Sequence, residues 1–130
     1  MLETFNAAST ATTIEHDSQG MHLLASFKRC APEILHDADK LQALAYEAAT
    51  ATGATIMQVG IQNFHPQGLT IFIVLGESHA SLHTYPETGV VFWDCFTCGT
   101  TCKPELSLPI LIEKLQPKIV EQNLVPRGHF

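Results

Sequence analysis

The fold of this chain is decided by the stretch LTIFIVLGESHASLHTYPE, residues 69–87. A run that is apolar except for Thr70 opens the stretch and predicts a buried strand over Leu69–Leu75. A polar segment follows directly, with a glutamate and a serine at a corner. Beyond the corner, Ser81 and His83 occupy alternate positions, which places both side chains on one face of a second strand. The pattern indicates a buried strand that delivers a reactive loop.

The rest of the chain predicts further strands and two helices around this strand pair. Leucine and alanine recur at helical spacing over residues 36–52, and Gly53 is a suitable end for that helix. A second helix is expected within residues 103–115, with either Pro104 or Pro109 in its first turn. Strands are expected over residues 21–27, 54–64, 69–75, 80–85, 90–96 and 118–125. The order β-α-β-β-β-β-α-β indicates an α+β fold: a mostly antiparallel sheet with helices packed on one face, a two-layer α/β sandwich.

Length, charge and composition narrow the class of protein and of partner. With 130 residues and 45% hydrophobic content, we expect one globular domain over residues 21–130, preceded by a loose N-terminal tail over residues 1–20. The net charge of −6 and the lack of a basic stripe argue against nucleic acid as a partner. No apolar run is long enough to cross a membrane, and residues 1–20 lack the positive start of a secretory signal. We therefore expect a cytoplasmic protein with reduced cysteines, whose acidity suits a cationic small molecule.

A metal site and a hydrolase nucleophile are both disfavoured by residue spacing. Cys95 and Cys98 have the C-x-x-C spacing of a zinc ligand pair, but no second close pair accompanies them, so we expect no metal. The G-x-S-x-G elbow is absent around Ser78, because Ala80 occupies the position of the last glycine. Cys98 lies at a predicted strand end beside Gly99, where a thiol is reachable.

An ordered series of motifs extends through the middle of the chain. It consists of FHPQGLT at residues 64–70, ESH at 77–79, HTYPE at 83–87 and FTCG at 96–99. The series resembles the small bacterial S-adenosylmethionine decarboxylases, which are pyruvoyl-dependent enzymes of polyamine synthesis. The resemblance extends from residue 21 to about residue 128 and leaves only the N-terminal segment uncovered.

The resemblance implies a self-processing enzyme. In that family the proenzyme cuts itself before a serine, which here is the bond between Glu77 and Ser78, and the serine becomes the pyruvoyl cofactor. The pyruvoyl ketone forms a Schiff base with the substrate amine and accepts electrons as carbon dioxide leaves. His83 matches the histidine that transfers a proton during processing, and it reaches Ser78 only if the chain bends between them. Cys98 matches the cysteine that protonates the substrate carbon after decarboxylation.

The same resemblance implies a substrate pocket. Phe64 matches the aromatic residue that stacks on adenine, and Glu87 matches the glutamate that binds the ribose hydroxyls. Thr70 stands where a serine is usual, and Tyr85 replaces a common tryptophan, so both are expected to border this pocket. The family also implies a homodimer of processed protomers.

Two alternatives remain at this stage. A pyruvoyl-dependent decarboxylase of ornithine or arginine would keep the processing residues and would pair Glu87 with an ammonium or guanidinium group. An unprocessed homologue would act as a binding or regulatory partner and would never cleave.

Overall fold

The computed structural model of the protein describes residues 2–4 and 14–128. Within these residues, seven strands form one antiparallel sheet in the order β1-β3-β4-β5-β6-β2-β7. The strands are β1 (Leu2–Thr4), β2 (Gly20–Lys28), β3 (Ile56–Asn63), β4 (Leu69–Leu75), β5 (Ser78–Tyr85), β6 (Val90–Cys98) and β7 (Ile119–Arg127). The helices are α1 (Pro32–Leu35), α2 (Ala38–Ala51) and α3 (Ser107–Leu115), and a short 3-10 turn (Pro104–Leu106) precedes α3. The α+β class and the order of the predicted elements are confirmed, and the structure adds the short strand β1 and the short helix α1.

The ends of the helices follow from local sequence signals. The Asp37 carboxylate accepts a hydrogen bond from the Lys40 backbone N–H at 3.1 Å and caps the start of α2. Gly53 has a φ of 89°, which lets the chain turn away after the helix. Pro104 opens the 3-10 turn, and Pro109 lies in the first turn of α3. Both prolines therefore occupy helix starts, where their missing N–H groups cost no helical hydrogen bond.

One face of the sheet packs against the helices and forms the core. Trp93 of β6 is fully buried, and its indole N–H donates to the Ser107 hydroxyl of α3 at 3.0 Å. Phe27, Ile71 and Leu82 are also fully buried and come from three different strands. Along β2 and β4 buried side chains alternate with more exposed ones, as a sheet covered on one side requires.

The other face of the sheet, here called the open face, carries exposed apolar and aromatic side chains. Leu24, Phe72, Tyr85 and Phe92 are between 41% and 44% exposed. Strand register places these four residues on the same face as Ser81. A set of exposed apolar side chains on one face is typical of an interaction surface.

The N-terminal segment is more involved in the fold than the sequence suggested. Leu2–Thr4 pair with β3, opposite Gln58 to Gly60. Residues 14–19 lie across the end of β6, where the Gly99 backbone N–H donates to the Gln19 carbonyl at 2.7 Å. The remainder of the expected loose tail, residues 1 and 5–13, lies outside the described residues. Across the described part of the chain, every helix is too short or too polar to span a membrane.

Candidate active site

The corner between β4 and β5 is held in place by Thr55. The Glu77 side chain is buried there, and one carboxylate oxygen accepts the Thr55 backbone N–H at 2.8 Å. The other oxygen accepts the Thr55 hydroxyl at 3.2 Å. The Gly76 N–H donates to the Thr55 carbonyl at 2.8 Å, so three hydrogen bonds fix the residues that precede Ser78.

The backbone is strained at Ser78, and the carbonyl of the preceding Glu77 is polarised by a hydrogen bond. Ser78 has a φ of 147°, in a region that residues with a side chain rarely adopt and that costs about 1–3 kcal/mol. The Glu77 carbonyl oxygen accepts the Cys98 backbone N–H at 2.8 Å. An N–H donor at this oxygen is what a tetrahedral intermediate at the same carbon needs. The geometry is therefore suited to attack on the Glu77 carbonyl.

Cys98 ends β6, and the residue is only 5% exposed. The thiol donates to the Glu15 backbone carbonyl, with Sγ and O 3.3 Å apart. The Glu15 carboxylate accepts the backbone N–H groups of Thr100 and Thr101 at 3.0 and 3.2 Å. Nothing in the sequence pointed to Glu15, because its partners lie more than eighty residues away and no periodicity links them.

A second group of the predicted residues meets at the far end of β5. His83 Nδ1 lies 3.0 Å from the Thr70 hydroxyl on the neighbouring strand. These two residues line a cavity of about 150 Å³ together with Phe64, Tyr85 and Glu87. Five predicted residues, from the motifs at residues 64–70 and 83–87, are thus brought together.

The two groups are separate within one chain. Ser78 and His83 are five residues apart in the uninterrupted strand β5, which at about 3.3 Å per residue is roughly 16 Å. The bend that would bring His83 to Ser78 is not present. The predicted residues therefore form two groups in the structure. We call Glu77, Ser78 and Cys98 the processing cluster, after their predicted role, and the residues around His83 the pocket cluster.

In a comparison with known proteins, the sequence profile of the family described as S-adenosylmethionine decarboxylase matches residues 21–128. The chain belongs to this family.

Individual S-adenosylmethionine decarboxylase family members are similar over most of their length. The S-adenosylmethionine decarboxylase proenzyme of Brevibacillus brevis is 37% identical over 115 residues, which cover 88% of this chain and 86% of that protein. The proenzyme of Thermodesulfovibrio yellowstonii is 42% identical over 107 residues, covering 80% of this chain and 79% of that protein. The crystal structure of the adenosylmethionine decarboxylase from Aquifex aeolicus superposes with a TM-score of 0.79 at 27% identity, covering 88% of this chain and 94% of that one.

The cysteines of this family member differ in their surroundings. Burial raises the pKa of the Cys95 thiol to about 12 and that of Cys30 to about 11, so neither is a ready proton donor. All four cysteines of the chain are free. Within the described residues, no three His, Cys, Asp or Glu side chains are grouped so that they could hold a metal ion.

Proposed function

We propose that this chain is a self-processing S-adenosylmethionine decarboxylase that makes its own pyruvoyl group from Ser78. The observation that carries the proposal is the hydrogen bond from the Cys98 N–H to the Glu77 carbonyl, directly before a serine whose φ is strained. The family and its similar members are named for S-adenosylmethionine, which supports this compound as the substrate.

Self-cleavage requires one attack and one elimination. The Ser78 Oγ attacks the Glu77 carbonyl carbon, the C–N bond breaks, and the serine nitrogen is released as an amine while an ester joins the two residues. The Cys98 N–H stabilises the oxyanion during this shift. Removal of the Ser78 Cα proton then expels Glu77 as a carboxylate, and hydrolysis of the remaining dehydroalanine releases ammonia and leaves a pyruvoyl group. The strained φ and the fixed carbonyl suit Ser78 to this conversion.

His83 serves as the proton carrier in processing. Because the two clusters are separate within one chain, the His83 that acts on Ser78 comes from a second chain. A two-fold axis near Ala80 and Ser81, midway between Ser78 and His83, would bring the pocket cluster of one chain to the processing cluster of the other. We therefore propose a homodimer in which open faces pack together.

Two features of the chain support such a dimer. The open face exposes apolar and aromatic side chains, including Phe72, Tyr85 and Phe92, that association would bury. The cavity of the pocket cluster, about 150 Å³, is smaller than the roughly 300–1,000 Å³ typical of ligand pockets. A surface of the second chain would complete it.

The residues around the cavity match the parts of a sulfonium nucleoside. Phe64 is 52% exposed, so its ring is free to stack on adenine and to face a cation. The Glu87 carboxylate accepts hydrogen bonds from the ribose hydroxyls, and Thr70 and Tyr85 form the walls of the pocket. The pyruvoyl group supplies an electrophilic ketone that accepts electrons as carbon dioxide leaves. Cys98 holds a proton on Sγ and donates it to the substrate carbon.

The alternatives are less well supported. Decarboxylation of ornithine or arginine is not favoured, because the similar proteins are named for S-adenosylmethionine. An unprocessed homologue is not favoured either, because the processing cluster is complete. We place the enzyme in the cytoplasm, where its four free thiols would stay reduced. Its partner is a cationic small molecule, with no role for nucleic acid.

The test combines mass spectrometry with turnover. Under denaturing conditions the wild-type protein should give fragments 1–77 and 78–130, the second with a pyruvoyl cap, whereas Ser78→Ala should remain one chain. The processed protein should release carbon dioxide from S-adenosylmethionine and not from ornithine or arginine. A wild-type chain that stays intact at full activity would refute the mechanism, and release of putrescine or agmatine alone would refute the substrate.

A further inference from the structure

Residues 14–19, here called the N-terminal strap, cross the processing cluster. Ile14 packs over Gly76, where an added Cβ would lie only 2.8 Å from the Ile14 side chain. At the other end, the Gln19 carbonyl accepts the Gly99 N–H at 2.7 Å. The strap therefore lies between the turn that precedes Ser78 and the residue that follows Cys98.

Glu15 attaches the middle of the strap by its side chain. The carboxylate accepts four hydrogen bonds from Thr100 and Thr101, two from backbone N–H groups and two from hydroxyls. These bonds lower the pKa of Glu15, with the Thr100 N–H as the main cause. The absence of a side chain at Gly99 makes room for this contact, because an added Cβ would collide with the Glu15 carboxylate. The backbone carbonyl of Glu15 accepts a hydrogen bond from the Cys98 thiol, with O and Sγ 3.3 Å apart.

We propose that Glu15 is a positioning residue for the Cys98 thiol. Its carboxylate anchors the strap on the loop after β6, and its carbonyl holds the thiol in one orientation with the proton on Sγ. The strap also covers the sulfur and keeps solvent away from it. Loss of the anchor frees both the strap and the thiol.

The strap lies outside the part of the chain that is similar across the family. It lies outside residues 21–128, which the family profile matches. The same segment also contains a suitable control, since Asp17 is an exposed carboxylate that accepts a hydrogen bond from the Gln19 N–H within the strap itself. Glu15→Gln and Asp17→Asn therefore remove the same charge from the same segment, but only the first change touches the loop that follows Cys98.

The first test measures thiol accessibility and does not depend on activity. The Ser78→Ala chain is treated with iodoacetamide at neutral pH, and alkylation of each cysteine is followed by peptide mapping. Glu15→Gln in this background should raise the rate at Cys98 by about five- to tenfold, because local opening governs reaction of a covered group. Thr101→Val, which removes one donor to the carboxylate, should raise it by about twofold. Asp17→Asn should leave it unchanged.

Two results would overturn the proposal. One is an unchanged Cys98 rate in Glu15→Gln. The other is alkylation of Cys98 and of the fully buried Cys95 together, because this would show global unfolding and not a local release.

The second test concerns the fate of the proton and rests on the proposed function. Protonation of the wrong carbon leaves the substrate nitrogen on residue 78 as alanine and releases the product as an aldehyde. Glu15→Gln should reach this inactive form in about fivefold fewer turnovers than wild type, as judged from the mass of fragment 78–130. Cys98→Ser should do so as well. If Cys98→Ser keeps the wild-type ratio, the proposed proton donor is wrong; if only Cys98→Ser changes it, the role of Glu15 is wrong.

Discussion

Two inactive variants expressed together test whether each active site is shared between two chains. Ser78→Ala removes the processing serine, and His83→Ala removes the histidine of the pocket cluster. Each variant alone should be inactive. Within one chain these residues are about 16 Å apart along β5, far beyond the reach of a hydrogen bond of about 3 Å. In a mixed dimer, the intact Ser78 of one chain would meet the intact His83 of the other.

The size of the rescue follows from counting the dimers. Equal amounts of the two chains that pair at random give about half mixed dimers, and each mixed dimer has one complete site out of two. Activity should therefore return to about a quarter of the wild-type value. About half of the His83→Ala chains should be cleaved at residue 77, because their Ser78 is then served by a partner.

The assay measures denaturing mass and release of carbon dioxide from S-adenosylmethionine, first on the unfractionated mixture and then on mixed dimers isolated with two affinity tags. In the isolated mixed dimers one site of two is complete, so activity should reach about half of the wild-type value. Ser78→Ala mixed with Cys98→Ala is the matched control. Those two residues belong to the same cluster of the same chain, so no mixed dimer has a complete site and no rescue is expected. Purified mixed dimers of Ser78→Ala and His83→Ala that neither cleave nor turn over would refute the shared site.

Three further predictions follow from single contacts. Phe64→Ala and Glu87→Gln should each lower kcat/KM for S-adenosylmethionine by about ten- to a hundredfold without blocking cleavage, as measured on processed protein; normal kinetics would remove both from the pocket. Thr55→Val, which removes one hydrogen bond to the Glu77 carboxylate, should slow self-cleavage about fivefold in a time course of freshly synthesised chain. An unchanged rate would show that this hydrogen bond does not contribute to self-cleavage. The pKa of the Glu15 carboxyl, measured by NMR titration, should lie below its ordinary value of 4.5. The hydrogen bonds that anchor the strap should therefore persist above the lowered pKa and weaken as pH falls through it. A measured pKa at or above 4.5 would contradict these hydrogen bonds.

The sequence by itself determined the elements and their faces. The alternation of Ser81 and His83, and the helical spacing of leucine and alanine before Gly53, are local signals that depend on the geometry of one strand or one helix. The structure confirms both, with Ser81 and His83 on the open face and α2 at Ala38–Ala51. The family motifs predicted candidate reactive residues for the same reason, since each motif is a short continuous segment.

Only the tertiary structure decided which of these residues meet. The Glu77 carbonyl and the Cys98 N–H are joined because β5 pairs with β6 in one particular register. Ser78 and His83 are close in sequence and yet separated in space, because a continuous strand holds them apart. Glu15 reaches the loop after Cys98 across more than eighty residues. Such contacts depend on strand order, register and the path of the connecting segments, and none of these is encoded in the local periodicity of the chain.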